Sequence, residues 1–121
     1  MSARALARVR RICLALPEAT ERLSHGAPTF FVRDKLTFVM FHDDHHGDGR
    51  LAIWCAAPPG AQEALVAAEP DRFFRPAYVG HRGWIGLRLD RDLDWDEVEV
   101  VVEDAYRTVA PKTLVAKLDE G

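Results

Sequence analysis

The pattern of apolar and polar positions along the chain predicts long helices near its two ends and strands between them. Apolar residues recur at steps of three and four over residues 3–16 and 94–110, which is the spacing of one face of a helix. Aromatic and β-branched residues fill residues 29–32, 36–41 and 51–56, as is typical of strands. The smaller predicted elements are a helix at 61–68, a strand at 84–89 with a candidate partner strand at 77–80, and a final helical turn at 111–118.

Residues at the segment boundaries support these elements. Pro17 ends the first helix, because the residue before a proline is pushed out of the α region. Asp94 followed by Glu97 forms a variant of the capping box, which marks the start of the last long helix. Residues 33–35 are polar and few enough to close a hairpin. Apolar and polar residues also alternate over 97–102, as in a strand, but the length of the segment and its cap favour a helix.

The order of the elements predicts an α+β fold. The strands do not alternate one for one with helices, so a parallel sheet built of βαβ units is not expected. We expect an antiparallel β-sheet with helices packed on one face, formed by residues 1–121 as a single domain. A length of 121 residues and an apolar content of 48% both suit one domain with its own core. No run approaches the roughly 20 apolar residues of a membrane span, so no membrane partner is expected.

Charge is distributed unevenly about the formal net value of −3. Residues 1–50 hold eight Lys and Arg against six Asp and Glu, whereas residues 51–121 hold eight against thirteen. A polyanion should therefore prefer the first half of the chain. Three arginines share one face of the first predicted helix, which we expect to be solvated: Arg4, Arg8 and Arg11.

Few residues in the chain point to catalysis. Residues 42–49 include three histidines and three aspartates, which can ligate metals, but a short loop does not fix ligand geometry. We expect a solvated loop without a metal. The chain has no Gly-x-Ser-x-Gly elbow and no glycine-rich phosphate loop. Cys13 and Cys55 lie in apolar segments, as expected of buried thiols in a cytoplasmic protein. No enzyme activity and no cofactor are therefore expected.

The segment 75–84 combines aromatics, glycines, a histidine and arginines in one predicted turn. Arginine and aromatic side chains on a protruding hairpin can contact phosphates and stack on bases. Alternatively, Tyr78 and Trp84 anchor an irregular loop to the core, and glycines supply its special backbone angles.

The chain resembles the MmcQ/YjbR family over nearly its whole length. The resemblance is carried by seven segments: 21–28, 29–41, 50–54, 58–63, 70–74, 78–86 and 105–112. It implies a small bacterial α+β protein of YjbR/CyaY-like fold that binds DNA through a double wing of two hairpins. On this chain the wings correspond to the turn with Arg33 and Lys35 and the turn with His81 and Arg82. The chain departs from a good DNA binder in its net acidity and in Asp34 at the first wing tip.

Two functional hypotheses follow. In the first, the protein binds DNA weakly and without sequence preference through five cationic positions: Arg33, Lys35, Arg50, His81 and Arg82. In the second, it binds a small ligand or a protein, without catalysis, in an aromatic pocket formed by Trp54, Tyr78 and Trp84.

Overall fold

A computed structural model describes residues 2–120 as one sheet with four α-helices. In chain order the elements are α1 (Ser2–Leu14), β1 (Ala19–Ser24), β2 (Ala27–Val32), β3 (Leu36–Asp43), β4 (Leu51–Cys55), α2 (Ala61–Ala68), β5 (Phe73–Phe74), β6 (Ile85–Arg88), α3 (Trp95–Val109) and α4 (Lys112–Glu120). The six strands are antiparallel and follow the order β1-β2-β3-β4-β6-β5. The predicted α+β class and antiparallel sheet are confirmed.

The first strand, β1, is one that the apolar pattern does not predict. It pairs with β2 along its full length, and Ser24 stands opposite Ala27 at the turn. His25 and Gly26 form this turn with φ values of 52° and 81°, the left-handed pair that a tight hairpin requires. Every residue of β1 is half-buried or exposed, so no alternation of apolar residues marks it in the sequence.

The strand register divides the sheet into two faces, because residues opposite each other on neighbouring strands project to the same side. One row crosses five strands: Thr29, Met40, Trp54, Gly86 and Phe74. The adjacent row projects to the other side and is buried: Phe30, Val39, Cys55 and Ile85. We call the first side the pocket face and the second the helical face.

Helices α1 and α3 contact each other and both pack on β3. From α3, the Tyr106 ring meets Phe38 edge to face at 5.7 Å between centroids, and its hydroxyl donates a 2.7 Å hydrogen bond to the Pro17 carbonyl. Cys13 of α1 and Cys55 of β4 are buried free thiols, and burial raises the pKa of both. The main core therefore lies between these helices and the helical face.

The last long helix begins as the sequence indicates, although one contact differs. The Asp94 carboxylate accepts a 2.9 Å hydrogen bond from the Asp96 amide and so caps α3. Glu97 forms a 2.6 Å ion pair with Arg72, which directly precedes β5. A tertiary partner thus holds the carboxylate that a full capping box would direct at the Asp94 amide.

The predicted strand at 77–80 is wrong. The segment is irregular and enters a 3₁₀ helix at Gly80–Arg82. β6 pairs instead with β4 on one side and with the two-residue strand β5 on the other. The side-chain amide of Gln62 on α2 donates to the carbonyls of Gly80 and Trp84 at 2.8 and 2.6 Å. These carbonyls are therefore bound to a side chain where a strand would need a ladder partner.

The predicted terminal turn is instead the nine-residue helix α4, with Leu114 buried. Within residues 2–120, no helix has both the length and the apolar content needed to cross a membrane.

Candidate functional site

The pocket face of the sheet carries a cavity of about 540 Å³. Its floor comes from the strands and its walls from the β1–β2 turn, the segment after β3 and the segment after β5. We call it the histidine pocket; its lining is Ser24, His25, Ala27, Thr29, Met40, His42, His45, His46, Trp54, Tyr78 and Val79.

Aromatic rings in tilted and edge-to-face contact around Trp54 form the centre of this pocket. The His42 ring lies 3.9 Å from the Trp54 ring, centroid to centroid, and the His45 ring lies 4.7 Å from each of them. His46 meets His45 at 4.1 Å, and Tyr78 approaches His45 at 6.0 Å from the opposite wall. Such a cluster presents flat, polarisable surfaces with a few polar edges.

Backbone geometry after β3 folds the histidines back over the sheet. Asp44 and His46 adopt left-handed φ values of 59° and 50°. The Asp44 carboxylate accepts a 2.7 Å hydrogen bond from the Gly49 amide, and the Asp44 amide donates to the Arg50 carbonyl at 2.7 Å. The loop is therefore closed on itself, with His45 half-buried and Asp44 exposed.

The solvated loop expected at 42–49 is therefore only partly present. Its aspartates are exposed, but His42 and His45 pack on Trp54. Asp48 accepts a 2.9 Å hydrogen bond from the Arg50 amide, so its carboxylate supports the loop. Across residues 2–120, no three His, Cys, Asp or Glu side chains are arranged to hold a metal ion.

His42 has the most perturbed histidine environment in the pocket. Burial lowers its pKa from 6.5 to about 4, and the charge of His45 lowers it further, while Asp48 acts in the opposite direction. Its Nε2 atom and the indole nitrogen of Trp54 are buried without a hydrogen-bond partner. His42 is accordingly a neutral ring at neutral pH, in tilted contact with the tryptophan.

A second cavity of about 360 Å³ adjoins the histidine pocket and shares His45, His46, Trp54 and Tyr78 with it. We call it the arginine cleft, because Arg50 and Arg75 also line it, together with Asp48, Phe74 and Ala77. The two cavities are therefore neighbours on the pocket face, separated by no more than the side chains that they share.

The five residues predicted to bind nucleic acid lie at three separate places. Arg33 and Lys35 are exposed in the turn before β3, and Arg33 pairs with Glu18 at 3.1 Å. Arg50 follows the far end of β3 and stacks on Phe74, 4.1 Å from the ring centroid.

The other two predicted residues, His81 and Arg82, are exposed in the 3₁₀ helix before β6. Asp34 at the first wing tip forms an ion pair with Arg22. The three arginines of α1, Arg4, Arg8 and Arg11, are exposed, and Arg8 lies over the Trp95 ring at 4.7 Å.

The three residues of the predicted aromatic pocket divide differently. Trp54 and Tyr78 line the histidine pocket, whereas Trp84 is 3% exposed, does not line that pocket, and packs beneath Arg82. Sequence reasoning missed Met40, His42 and His45 as pocket residues. Met40 and His42 are two residues apart on β3, and this spacing indicates that their side chains project to the same face of the sheet.

These features define an α+β protein with helices on one face of an antiparallel sheet and an aromatic depression on the other. The model of the YjbR family matches residues 14–108, so the chain belongs to the YjbR family, and the resemblance found in the sequence is confirmed. Every residue lining the two cavities falls within the matched segment.

A solved structure of similar fold is the Deinococcus radiodurans protein DR2400, which carries a DUF419 domain. It matches with a TM-score of 0.69 and 15% sequence identity, over 84% of this chain and 75% of that one. A likeness at this identity supports the fold alone. No curated protein matches the chain significantly.

Proposed function

We propose that this protein binds a small molecule in the histidine pocket and does not transform it. The observation that carries the proposal is the cavity of about 540 Å³ built around the aromatic cluster at Trp54. Sites for small molecules are typically concave, largely apolar and roughly 300–1,000 Å³ in volume. The pocket combines such a volume with a few polar ring edges, which suits a flat ligand.

The walls of the pocket differ in exposure, which leaves one aromatic side chain free to cover a bound ligand. Trp54 is 3% exposed and fixed between strands, while Tyr78 is 73% exposed on an irregular segment. A ring bound in the pocket would let Tyr78 pack over its outer surface. That contact would remove apolar area of both rings from water.

The absence of catalysis is part of the proposal. A general acid or base must reach the proton that it transfers. The imidazole with the most perturbed pKa, His42, has its Nε2 buried and without a hydrogen-bond partner. Its ring packing on Trp54 supports a structural role.

The proposal is tested by nuclear magnetic resonance, with a set of neutral and charged aromatic compounds titrated into the ¹⁵N-labelled protein. Binding should shift the resonances of Met40, Trp54 and Tyr78 more than those of residues elsewhere. The blocking variant is Ser24→Trp, which places a ring at the pocket rim, and the matched control is Leu23→Trp. Leu23 neighbours Ser24 on β1, is 71% exposed and does not line the pocket.

Ser24→Trp should abolish the shifts, and Leu23→Trp should leave them unchanged. The proposal is wrong if no compound causes localised shifts, or if Ser24→Trp binds as the unmodified protein does.

Nucleic-acid binding through Arg33, Lys35, Arg50, His81 and Arg82 stays a prediction. It is supported by the exposure of Lys35, His81 and Arg82. If about four phosphates are neutralised, affinity for duplex DNA should fall roughly 100-fold between about 50 and 200 mM salt. Fluorescence anisotropy at both salt concentrations measures this, and binding that is absent or indifferent to salt would refute it. The cytoplasmic location and bacterial source likewise stay predictions.

A further inference from the structure

The arginine cleft beside the histidine pocket indicates what kind of small molecule the pocket takes. We propose that the ligand is a planar aromatic ring carrying an anionic group, with the ring in the histidine pocket and the anion between Arg50 and Arg75. This inference rests on the proposed function of the histidine pocket. The shared chemistry is an aromatic carboxylate or an aromatic phosphate.

The first support is that the two cavities are direct neighbours. His45, His46, Trp54 and Tyr78 line both of them, so a ring stacked on these side chains lies directly beside the cleft. A substituent at the edge of that ring would lie close to the cleft. With volumes of about 540 and 360 Å³, the cavities suit one ring system and one small polar group.

The second support is that Arg50 is held in place. Its guanidinium stacks on Phe74, 4.1 Å from the ring centroid, which fixes the plane of its N–H donors. The nearest carboxylate with which Arg50 forms an ion pair is that of Asp48, and the guanidinium nitrogen and the carboxylate oxygen are 4.0 Å apart. The Asp48 carboxylate also accepts a hydrogen bond from the Arg50 backbone amide, so the loop sets the orientation of this carboxylate. Arg50 therefore keeps donors that an anion can engage.

The third support is the seating of Arg75. Its guanidinium donates a 3.3 Å hydrogen bond to the side-chain oxygen of Gln62, and it has no carboxylate within 4.0 Å among the residues that the structure describes. The stem of Arg75 lies against Gly80, where an added Cβ would stand 2.7 Å from the arginine Cγ. Gly80 thus leaves the space in which the stem runs.

The charges around the cleft favour an anion. Two guanidiniums line it against one carboxylate, that of Asp48. Arginine presents several N–H donors in one plane, which matches the paired oxygens of carboxylate and phosphate. A neutral aromatic compound would leave these donors to water.

The test uses matched pairs of probes that differ in the anionic group: indole with indole-3-acetate, and phenol with phenyl phosphate. Affinities are measured by nuclear magnetic resonance titration of the full chain. We expect each anionic member to bind about tenfold more tightly than its neutral partner at low salt, with the advantage shrinking as salt rises. The carboxylate and phosphate arms show which anion the cleft prefers.

Four variants separate the cleft from general charge effects. Arg75→Gln and Arg50→Gln should each remove most of the anionic advantage while leaving the neutral probes unchanged. Arg82→Gln is the matched control, since Arg82 is exposed nearby in sequence but lines neither cavity. Gly80→Ala should reduce the anionic advantage in the same way as Arg75→Gln, but by less, because the new methyl group displaces the stem of Arg75.

The outcomes distinguish this inference from the function on which it rests. If neutral and anionic members bind within about twofold of each other, the pocket binds ligands but the anion site is wrong. The anion site is also wrong if Arg82→Gln and Arg75→Gln reduce the affinity for anionic probes equally. It is wrong as well if the anionic probes bind to Ser24→Trp as tightly as to the unmodified protein. If no probe of either kind binds, the proposed function fails and this inference fails with it.

Discussion

Acidification should destabilise this protein through His42 well above the pH at which its carboxylates are protonated. The pKa of His42 is about 4 in the folded chain because the ring is buried on Trp54, and its ordinary value is 6.5. In the unfolded chain the ring takes up a proton near the ordinary value. The stability that comes from a neutral His42 is therefore complete above about pH 6.5 and is lost as the pH falls toward 4.

The size of the effect follows from the shift in pKa. A change from 6.5 to about 4 corresponds to roughly 3 kcal/mol over the whole range, of which about 2 kcal/mol falls between pH 7 and pH 5. The ring is only half-buried, so solvent screening reduces this to about 1 kcal/mol. The pKa values of Asp90 and Asp119 are lowered from 3.8, and their contributions are lost only at lower pH.

Urea denaturation followed by circular dichroism at about pH 7, 6 and 5 measures the loss. His42→Gln keeps a polar side chain but cannot titrate, and it should lose about 1 kcal/mol less than the unmodified protein over this range. That difference is about 0.5–1 M in the urea midpoint for a domain of this size. His81→Gln, an exposed histidine outside the pocket, is the control. Equal losses in the unmodified protein and in His42→Gln would refute the argument.

Three further substitutions test the packing that supports the site. Gly86→Ala should cost about 1–3 kcal/mol of unfolding free energy, because the new Cβ would overlap the buried Phe74 ring. Tyr106→Phe removes the hydrogen bond to the Pro17 carbonyl and should cost about 1 kcal/mol. Asp94→Ala removes the cap of α3 and should cost about 0.5–2 kcal/mol. Thermal and urea unfolding measure all three.

For each of these substitutions, one outcome would contradict the prediction. A Gly86→Ala protein of unchanged stability would mean that the Phe74 ring has room to move aside. An unchanged Tyr106→Phe would mean that water replaces the hydroxyl. Glu99→Ala, an exposed position within α3, is the control for Asp94→Ala, and an equal effect of the two would show that the cap is not the cause.

The elements that the sequence predicts well are those whose own residues carry the signal. α2 lies at the predicted residues, and α1 and α3 differ from prediction by one or two residues at each end, because their apolar faces recur with helical spacing. β1 has no such signal, since it is a polar edge strand held by its pairing with β2. The segment 77–80 has aromatic and β-branched residues but is drawn off the sheet by the Gln62 side chain.

The site was less visible than the fold for a similar reason. Trp54 sits in an evident strand, and its ring was a natural candidate. His45 reaches that ring only because Asp44 and His46 adopt left-handed angles and Asp44 binds the Gly49 amide. Those contacts join residues in a loop whose sequence shows only that it is polar. Histidines so close in sequence are expected to be solvated unless a loop folds back.

The pocket face explains why a loop should fold back there at all. An antiparallel sheet can leave one face to water, and that face is then normally polar. In this protein the row on that face includes Trp54 and Phe74, which are too apolar to leave exposed, while α1 and α3 occupy the opposite side. The segments after β3 and β5 cover the row in place of a helix. Irregular segments form a less continuous cover than a helix, and the histidine pocket and the arginine cleft are the gaps that they leave.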